Sequence, residues 1–239
     1  GIQNTAVGSY ALDANTTASN NTSVGHNSLT ANTTGASNTA LGVAALGLNT
    51  TGTQNVAVGY QTLDACTTGS YNTAVGVEAL SASTTASFND AFGRYALQDN
   101  TSGHNNSAFG VGTMMENTTG AENSGFGSNA LQQNTTGDHN VGVGRLALAA
   151  NTTGPNNVAV GYTALENNTT GDSNIAVGPW ALDTNTEGNY NVGIGRSSLY
   201  SNTTGDNNTA VGRNSLGSNT TANDNTAVGV YALNANTTG

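Results

Sequence analysis

With 239 residues, fourteen carboxylates, four arginines and no lysine, the chain carries a formal net charge of −10, so it has no basic stripe to neutralise nucleic-acid phosphates. A single cysteine excludes a framework of intrachain disulfides, and no run of eighteen apolar residues is present that could cross a membrane as a helix. Charged residues make up 8% and apolar residues 35%. That is unlike the highly charged composition of disordered chains, and the few apolar residues are regularly placed.

The regularity is a period. Residues 4–20 read NTAVGSYALDANTTASN and residues 21–37 read NTSVGHNSLTANTTGAS. Val7 is followed at steps of 17 by Val24, Leu41, Val58, Val75, Phe92, Phe109, Phe126, Val143, Val160, Val177, Ile194, Val211 and Val228, with no insertion or deletion. An ungapped period of this length marks a repeat architecture. Residues 1–239 are therefore expected to form a single solenoid array of fourteen 17-residue repeats, a window of a longer fibre without capping repeats. Each column of the repeat is named below after its first member.

The predicted elements of one repeat follow in chain order. Asn4 opens it and is Asn in all fourteen copies. Thr5–Ala6–Val7 reads as a short strand. The outer columns hold mostly Thr, Val, Ile or Phe and the middle one only Ala, Ser or Gly, an alternation that puts Val7 and Ala6 on opposite faces. Val7 is assigned to the core. Gly8, Gly in every copy, permits a turn that a Cβ would resist. Ala11–Leu12 is predicted to begin a second short strand, with Leu12 returning to the core; its column is Leu thirteen times and Met114 once. The NTTG corner closes the coil. Its first threonine column, that of Thr16, is Thr in all fourteen copies, and the residue after NTT is Gly eleven times and Ala at Ala18, Ala86 and Ala222.

The expected fold is all-β: a parallel β-solenoid, of the β-roll or β-helix kind, with 17 residues per rung. Stacking would turn the Asn4 column into an amide ladder and the Thr16 column into a hydroxyl ladder. One Leu and one Val or Phe per rung make a thin core, each apolar side chain contributing about 1.5–3 kcal/mol. Further burial between chains is therefore expected, with the small Ala6 and Ala11 columns as the interchain seam.

The strings NTAVGSYAL, NVAVGYQTL, NTAVGVEAL and NVAVGYTAL resemble the A-(I/V)-G-x-x-(A/S) repeats in the heads of trimeric autotransporter adhesins. The longer unit NTAVGYxALxxNTTGxx is similar to arrays in phage-type tail-fibre proteins. The resemblance implies a left-handed β-roll in which three chains associate, and an extracellular place on a cell surface, a secreted filament or a virion.

Chemistry is sparse. A strict repeat places like residues in columns, whereas catalysis and metal binding need unlike residues converging on a point. No catalytic, cofactor-binding or metal-binding residue is predicted, and the chain is not expected to be an enzyme. His26, His104 and His139 lie in three different columns. Asp138, Asp172 and Asp206 share a column at every second rung, about 10 Å apart and too far to share one calcium ion. Arg94, Arg145, Arg196 and Arg213 share another column and read as solubilising. Cys66 replaces the usual Asn of the corner and reads as a buried, inert thiol.

The one motif with a chemical meaning is NTT, an N-glycosylation acceptor when exposed. Candidate acceptors are Asn15, Asn32, Asn49, Asn100, Asn117, Asn134, Asn151, Asn168, Asn202, Asn219 and Asn236. The corner is expected to project from the fibre and to carry its decoration or contacts. Asn and Thr also suit a stacked corner for backbone reasons, and Thr survives in the three copies where the acceptor is lost, at Cys66, Ser83 and Asn185. Two functions fit. The first is a structural or adhesive extracellular fibre segment, a tail-fibre, adhesin or surface-filament shaft, forming a homotrimer or filament and contacting a cell-surface glycan or receptor. The second is a β-solenoid presenting an Asn/Thr ladder as an ice- or carbohydrate-binding face.

Overall fold

The computed structural model describes residues 1–237. The chain is organised as two compact units, Gly1–Glu122 and Asn123–Gly239. Each contains seven three-residue strands. In the first unit these are β1 (Thr5–Val7), β2 (Thr22–Val24), β3 (Thr39–Leu41), β4 (Val56–Val58), β5 (Thr73–Val75), β6 (Asp90–Phe92) and β7 (Ser107–Phe109). In the second they are β8 (Ser124–Phe126), β9 (Val141–Val143), β10 (Val158–Val160), β11 (Ile175–Val177), β12 (Val192–Ile194), β13 (Thr209–Val211) and β14 (Thr226–Val228). Within each unit successive strands pair in parallel with a register step of 17, as in Thr39↔Val56 of β3 and β4 and Val158↔Ile175 of β10 and β11. Each unit is thus a β-solenoid with one repeat per rung.

Only one strand forms per rung. The segment expected to be a second strand, Ala11–Leu12, is instead the junction of two tight turns. In the third rung Ala45 N donates to Gly42 O at 3.4 Å and closes the first turn, and Asn49 N donates to Leu46 O at 3.2 Å and closes the second. Ala44, third in the first turn, has φ 57°, as a type II turn requires at that position. Leu46, where the turns meet, has φ 54°, and every equivalent from Leu12 (57°) to Leu233 (47°) is also left-handed. The left-handed conformation is costly for a residue with a Cβ. Here it is what swings the leucine inward between two turns.

The axial hydrogen bonds extend far beyond the strands. Around the same rung Thr39 N donates to Asn55 O at 2.8 Å, Leu46 N to Thr62 O at 3.0 Å, Leu48 N to Asp64 O at 3.1 Å and Thr50 N to Thr67 O at 2.9 Å, while Gly42 N and Ala44 N donate to Val24 O and His26 O on the other side. Turn residues that would need water elsewhere are satisfied by the neighbouring rung.

Burial corrects the sequence reading of the strand. The Ala6 column points inward: Ala40, Ala57, Ala74, Ala159 and Ala176 are fully buried. The Ala11 column joins it through Ala45, Ala79, Ala96, Ala147 and Ala164. The Leu12 column is the largest apolar element, with Leu29 through Leu216, Met114 included, fully buried. The Val7 column, assigned to the core from its bulk, faces outward, with Phe126 42% and Ile194 40% exposed. The reason is the width of the coil. A Cβ built on Gly142 in the Ala6 column would lie 3.2 Å from Ala147 O and 3.3 Å from Leu131 Cγ, and one on Gly193 would lie 3.1 Å from Ser198 Oγ. There is room for a methyl and nothing larger. Ser23 is accommodated because Ser28 faces it, its Oγ donating to Ser28 O at 2.8 Å. The small columns are the interior of one chain, so they cannot be the seam between chains.

Candidate functional site

The NTTG corner is built from two amide ladders that converge on one carbonyl. Asn21 Nδ2 and Asn32 Nδ2 donate to Gly35 O at 3.0 and 2.9 Å. Asn140 and Asn151 do the same to Gly154 O, both at 2.9 Å. Along the Asn15 column, where successive rungs of one unit both carry Asn, Nδ2 also donates to the Oδ1 one rung earlier, as Asn49 to Asn32 at 2.8 Å and Asn168 to Asn151 at 2.8 Å. Along the Asn4 column within each unit, Oδ1 accepts from the backbone amide of the next rung, as from Asn38 N to Asn21 Oδ1 at 2.9 Å. A side chain with one donor and one acceptor end is required at both positions, which accounts for the near-invariance of Asn.

This geometry decides where the candidate acceptors stand. Asn32, Asn49, Asn100, Asn117, Asn134, Asn151, Asn168, Asn202 and Asn219 have no accessible surface. Asn15 and Asn236 are half-buried in the outermost described rungs. The expectation that the asparagine of the corner projects is overturned: the side chain turns inward because its amide closes the corner. A sugar on Nδ2 would have to replace these bonds, so the folded rung presents no such amide.

The Thr16 column completes the corner. Thr33 Oγ1 donates to Thr50 O at 3.0 Å, and the same carbonyl accepts from Thr33 N and Thr34 N. What projects is the second threonine: the Thr17 column is exposed in every described rung, with Ser102 and Glu187 substituting for Thr. A further ladder lies in the Ser19 column, where a side-chain oxygen accepts from the backbone one rung earlier. Ser70 Oγ accepts from Thr53 N at 3.0 Å and Asp206 Oδ1 from Asn189 N at 2.7 Å. Asp206 thus belongs to a backbone ladder through its carboxylate, and Asp172 through its amide, which donates to Asn189 Oδ1 at 2.9 Å. Sequence reasoning missed it because Ser, Asn and Asp all serve, leaving only a preference for short polar residues as a signal.

The ladder is broken in one place. Cys66 cannot donate as an amide does; its Sγ reaches Gly69 O at 3.6 Å, and Asn49 Oδ1 is left without a partner. Ser83 Oγ is also unpartnered. Burial raises the Cys66 thiol to about 11, which keeps it protonated and unreactive at neutral pH. Ala86 adds to the fault, for its corner is stretched: Thr84 N to Thr101 O is 3.3 Å, against 2.9 Å for Thr67 N to Thr84 O. Cys66→Asn combined with Ser83→Asn should restore bonds to Asn49 and from Asn100, at about 1 kcal/mol each. The double variant is expected to melt higher than the parent chain, and an unchanged or lower melting temperature would show that the ladder does not stabilise the rung.

The outer surface is columnar as well. In the second unit Val141 and Val143, Val158 and Val160, Ile175 and Val177, and Val192 and Ile194 form two ranks of β-branched side chains on the outer face of the strands. In the first unit Phe92 and Phe109 stack in the Val7 column at 4.7 Å. All four arginines lie against aromatic rings: Arg94 over Tyr95, Arg145 over Tyr162, Arg196 over Trp180 and Arg213 over Tyr231, at 4.2–5.8 Å. The sequence reading of these residues as merely solubilising omitted this pairing. His26, His104 and His139 are exposed, and among the described residues no group of three His, Cys, Asp or Glu could hold a metal ion. Burial raises the carboxyls of Asp64, Asp183 and Glu166, the last also through Asp183.

No family model, curated protein or solved structure matches the chain.

Proposed function

We propose that this chain is a segment of a structural and adhesive extracellular fibre, without catalytic activity, whose left-handed coils associate as homotrimers along the outer face of the strands. The observation that carries this reading is the exposed Val7 column. Valine, isoleucine, leucine or phenylalanine occupies it in every rung although the coil's own interior does not use it. Strand width and rung spacing give roughly 10 Å by 30 Å for this face in each unit; one of its two columns is apolar throughout, and in β9 to β12 both are, an apolar strip of the kind that can mark an interaction surface. The likeness of the repeats to adhesin heads and tail-fibre arrays points the same way. Identical rungs also multiply any weak contact with a cell-surface glycan or receptor.

Sedimentation tests it. At micromolar concentration the chain is expected at three times its polypeptide mass, and Val160→Asp with Ile194→Asp to shift it to the monomer while the β circular dichroism persists. A monomeric parent chain with intact β-structure would overturn the proposal. The alternative, an ice- or carbohydrate-binding face, draws on the exposed Thr17 column. That column is a single rank, because the neighbouring Thr16 hydroxyl is spent on the ladder. A rank of threonines that bound ice would inhibit crystal growth, and Thr153→Val with Thr170→Val would leave the association state unaltered.

A further inference from the structure

One variable column, that of Asp13, contains two glycines, Gly47 and Gly217. Each opens a notch where neighbouring rungs carry a side chain. The notch at Gly217 has a volume of about 320 Å³ and is lined by Ser197, Tyr200, Ser201, Asn214, Ser218 and Asn234 besides the glycine. The notch at Gly47, about 270 Å³, lies at the same place in its rungs but is lined by Asn27, Thr30, Ala31, Ala44, Leu48 and Asp64. The two differ in chemistry. The residues lining the Gly217 notch carry three serine hydroxyls, two amides and a phenol, groups that both donate and accept.

Two arginines adjoin its lining residues in the chain. Ser197 and Asn214 are the chain neighbours of Arg196 and Arg213, both exposed. Residues 191–223 hold these two arginines against one carboxylate, Asp206. In a chain of net charge −10 this is a local reversal of sign, and it would draw an anion to the notch. Aromatic rings follow in the two preceding rungs. Arg196 lies 4.9 Å over the Trp180 ring, Trp180 meets Tyr162 edge-on at 5.7 Å, and Arg145 closes the row 5.8 Å from Tyr162. Trp180 is the only tryptophan in the sequence.

Hydroxyl and amide lining, aromatic rings and two guanidinium groups nearby in the chain together fit one ligand class. The hydroxyls and amides match sugar hydroxyls, the rings match the apolar faces of pyranoses, and the guanidinium forks match carboxylates. The volume lies at the lower end of the roughly 300–1,000 Å³ of ligand pockets, which gives room for a short saccharide. We propose that the Gly217 notch, with Arg196 and Arg213 next in the chain to its lining residues and Trp180 and Tyr162 in the preceding rungs, binds a carboxylate-bearing saccharide. This deepens the adhesive reading above and rests on it.

Calorimetric titration of the whole chain with tetragalacturonate, and with maltotetraose as the uncharged control, tests it, with sedimentation run on the same samples. Gly217→Gln fills the notch with a residue that the column already holds at Gln98 and Gln132. The parent chain is expected to bind tetragalacturonate at least tenfold more tightly than maltotetraose. Gly217→Gln, and Arg196→Gln with Arg213→Gln, are each expected to lose at least tenfold, whereas Gly47→Gln binds as the parent does. No binding at millimolar sugar, equal binding of both sugars, or binding indifferent to these substitutions would overturn the site. A trimer that ignores the sugar defeats the site and leaves the fibre standing; a monomer that binds it in the manner expected defeats the fibre and leaves the site.

Discussion

Leu165→Asp is expected to unfold the rungs around it, with loss of β circular dichroism in the second unit and a melting temperature lowered by many degrees. Leu165 has no accessible surface, and its amide donates to Ala181 O at 2.9 Å from a left-handed backbone with φ 54°. It is surrounded by alanine methyls and by its own column, and nothing there can solvate or pair a carboxylate. An unpaired charge in such a place costs several kcal/mol, and even truncation to alanine would cost about 2–5 kcal/mol. Val160→Asp provides the contrast. Val160 is 37% exposed on the outer face of β10, so the same carboxylate stays in water and the rung should melt within about 1 kcal/mol of the parent as an isolated chain. If the two variants melted alike, the inward and outward columns would have been exchanged.

That contrast marks the boundary of what was legible from the residues. The period, the rung, the buried leucine, the glycine turn and the amide ladder all follow from invariance in a 17-residue column, because invariance within one chain reports a shared local environment. The facing of the strand did not follow. Bulk suggests burial, and Val7 is bulkier than Ala6. In a coil this narrow the inference reverses: a column restricted to Ala, Ser and Gly is restricted because it is inside, while the bulky column is free to vary among Val, Leu, Ile and Phe because it is outside. The second strand was misplaced for a different reason. Leucine at φ near +50° breaks the preference of L-residues, and no propensity suggests thirteen of them. The columns of Tyr10 and Asn20, also left-handed, gave a faint signal in their frequent Asn, diluted by Tyr, Glu and Trp. The asparagines of the corner were legible as a motif and as a ladder at once. Only the bonds to the Gly35 and Gly154 carbonyls separate a buried amide from an exposed one.

Gly76→Ala is the second substitution expected to disrupt the fold. Gly76 belongs to the Gly8 column and has φ 141°, a region that residues with a Cβ avoid. A Cβ there would lie 2.4 Å from Gly93 O, 2.6 Å from Gly93 C and 3.1 Å from Arg94 N. All three are backbone atoms of the next rung, held by the axial bond from Gly93 N to Val75 O at 2.8 Å. The rungs would have to part at the strand itself, and a cost of about 3 kcal/mol or more is expected. Gly154→Ala tests whether close approach alone explains this. Its Cβ would lie 2.3 Å from Gly171 O, no farther than in the first case. Yet alanine occurs naturally in that column at Ala18, Ala86 and Ala222. The corner there spreads, as the 3.3 Å bond from Thr84 to Thr101 and the 3.2 Å bond from Thr220 to Thr237 show. A stretched corner loses part of one or two hydrogen bonds, about 1 kcal/mol. Thermal melts of the two variants should therefore rank Gly76→Ala well below Gly154→Ala. Equal losses would mean that backbone dihedral contributes nothing and that contact distance alone sets the requirement for glycine.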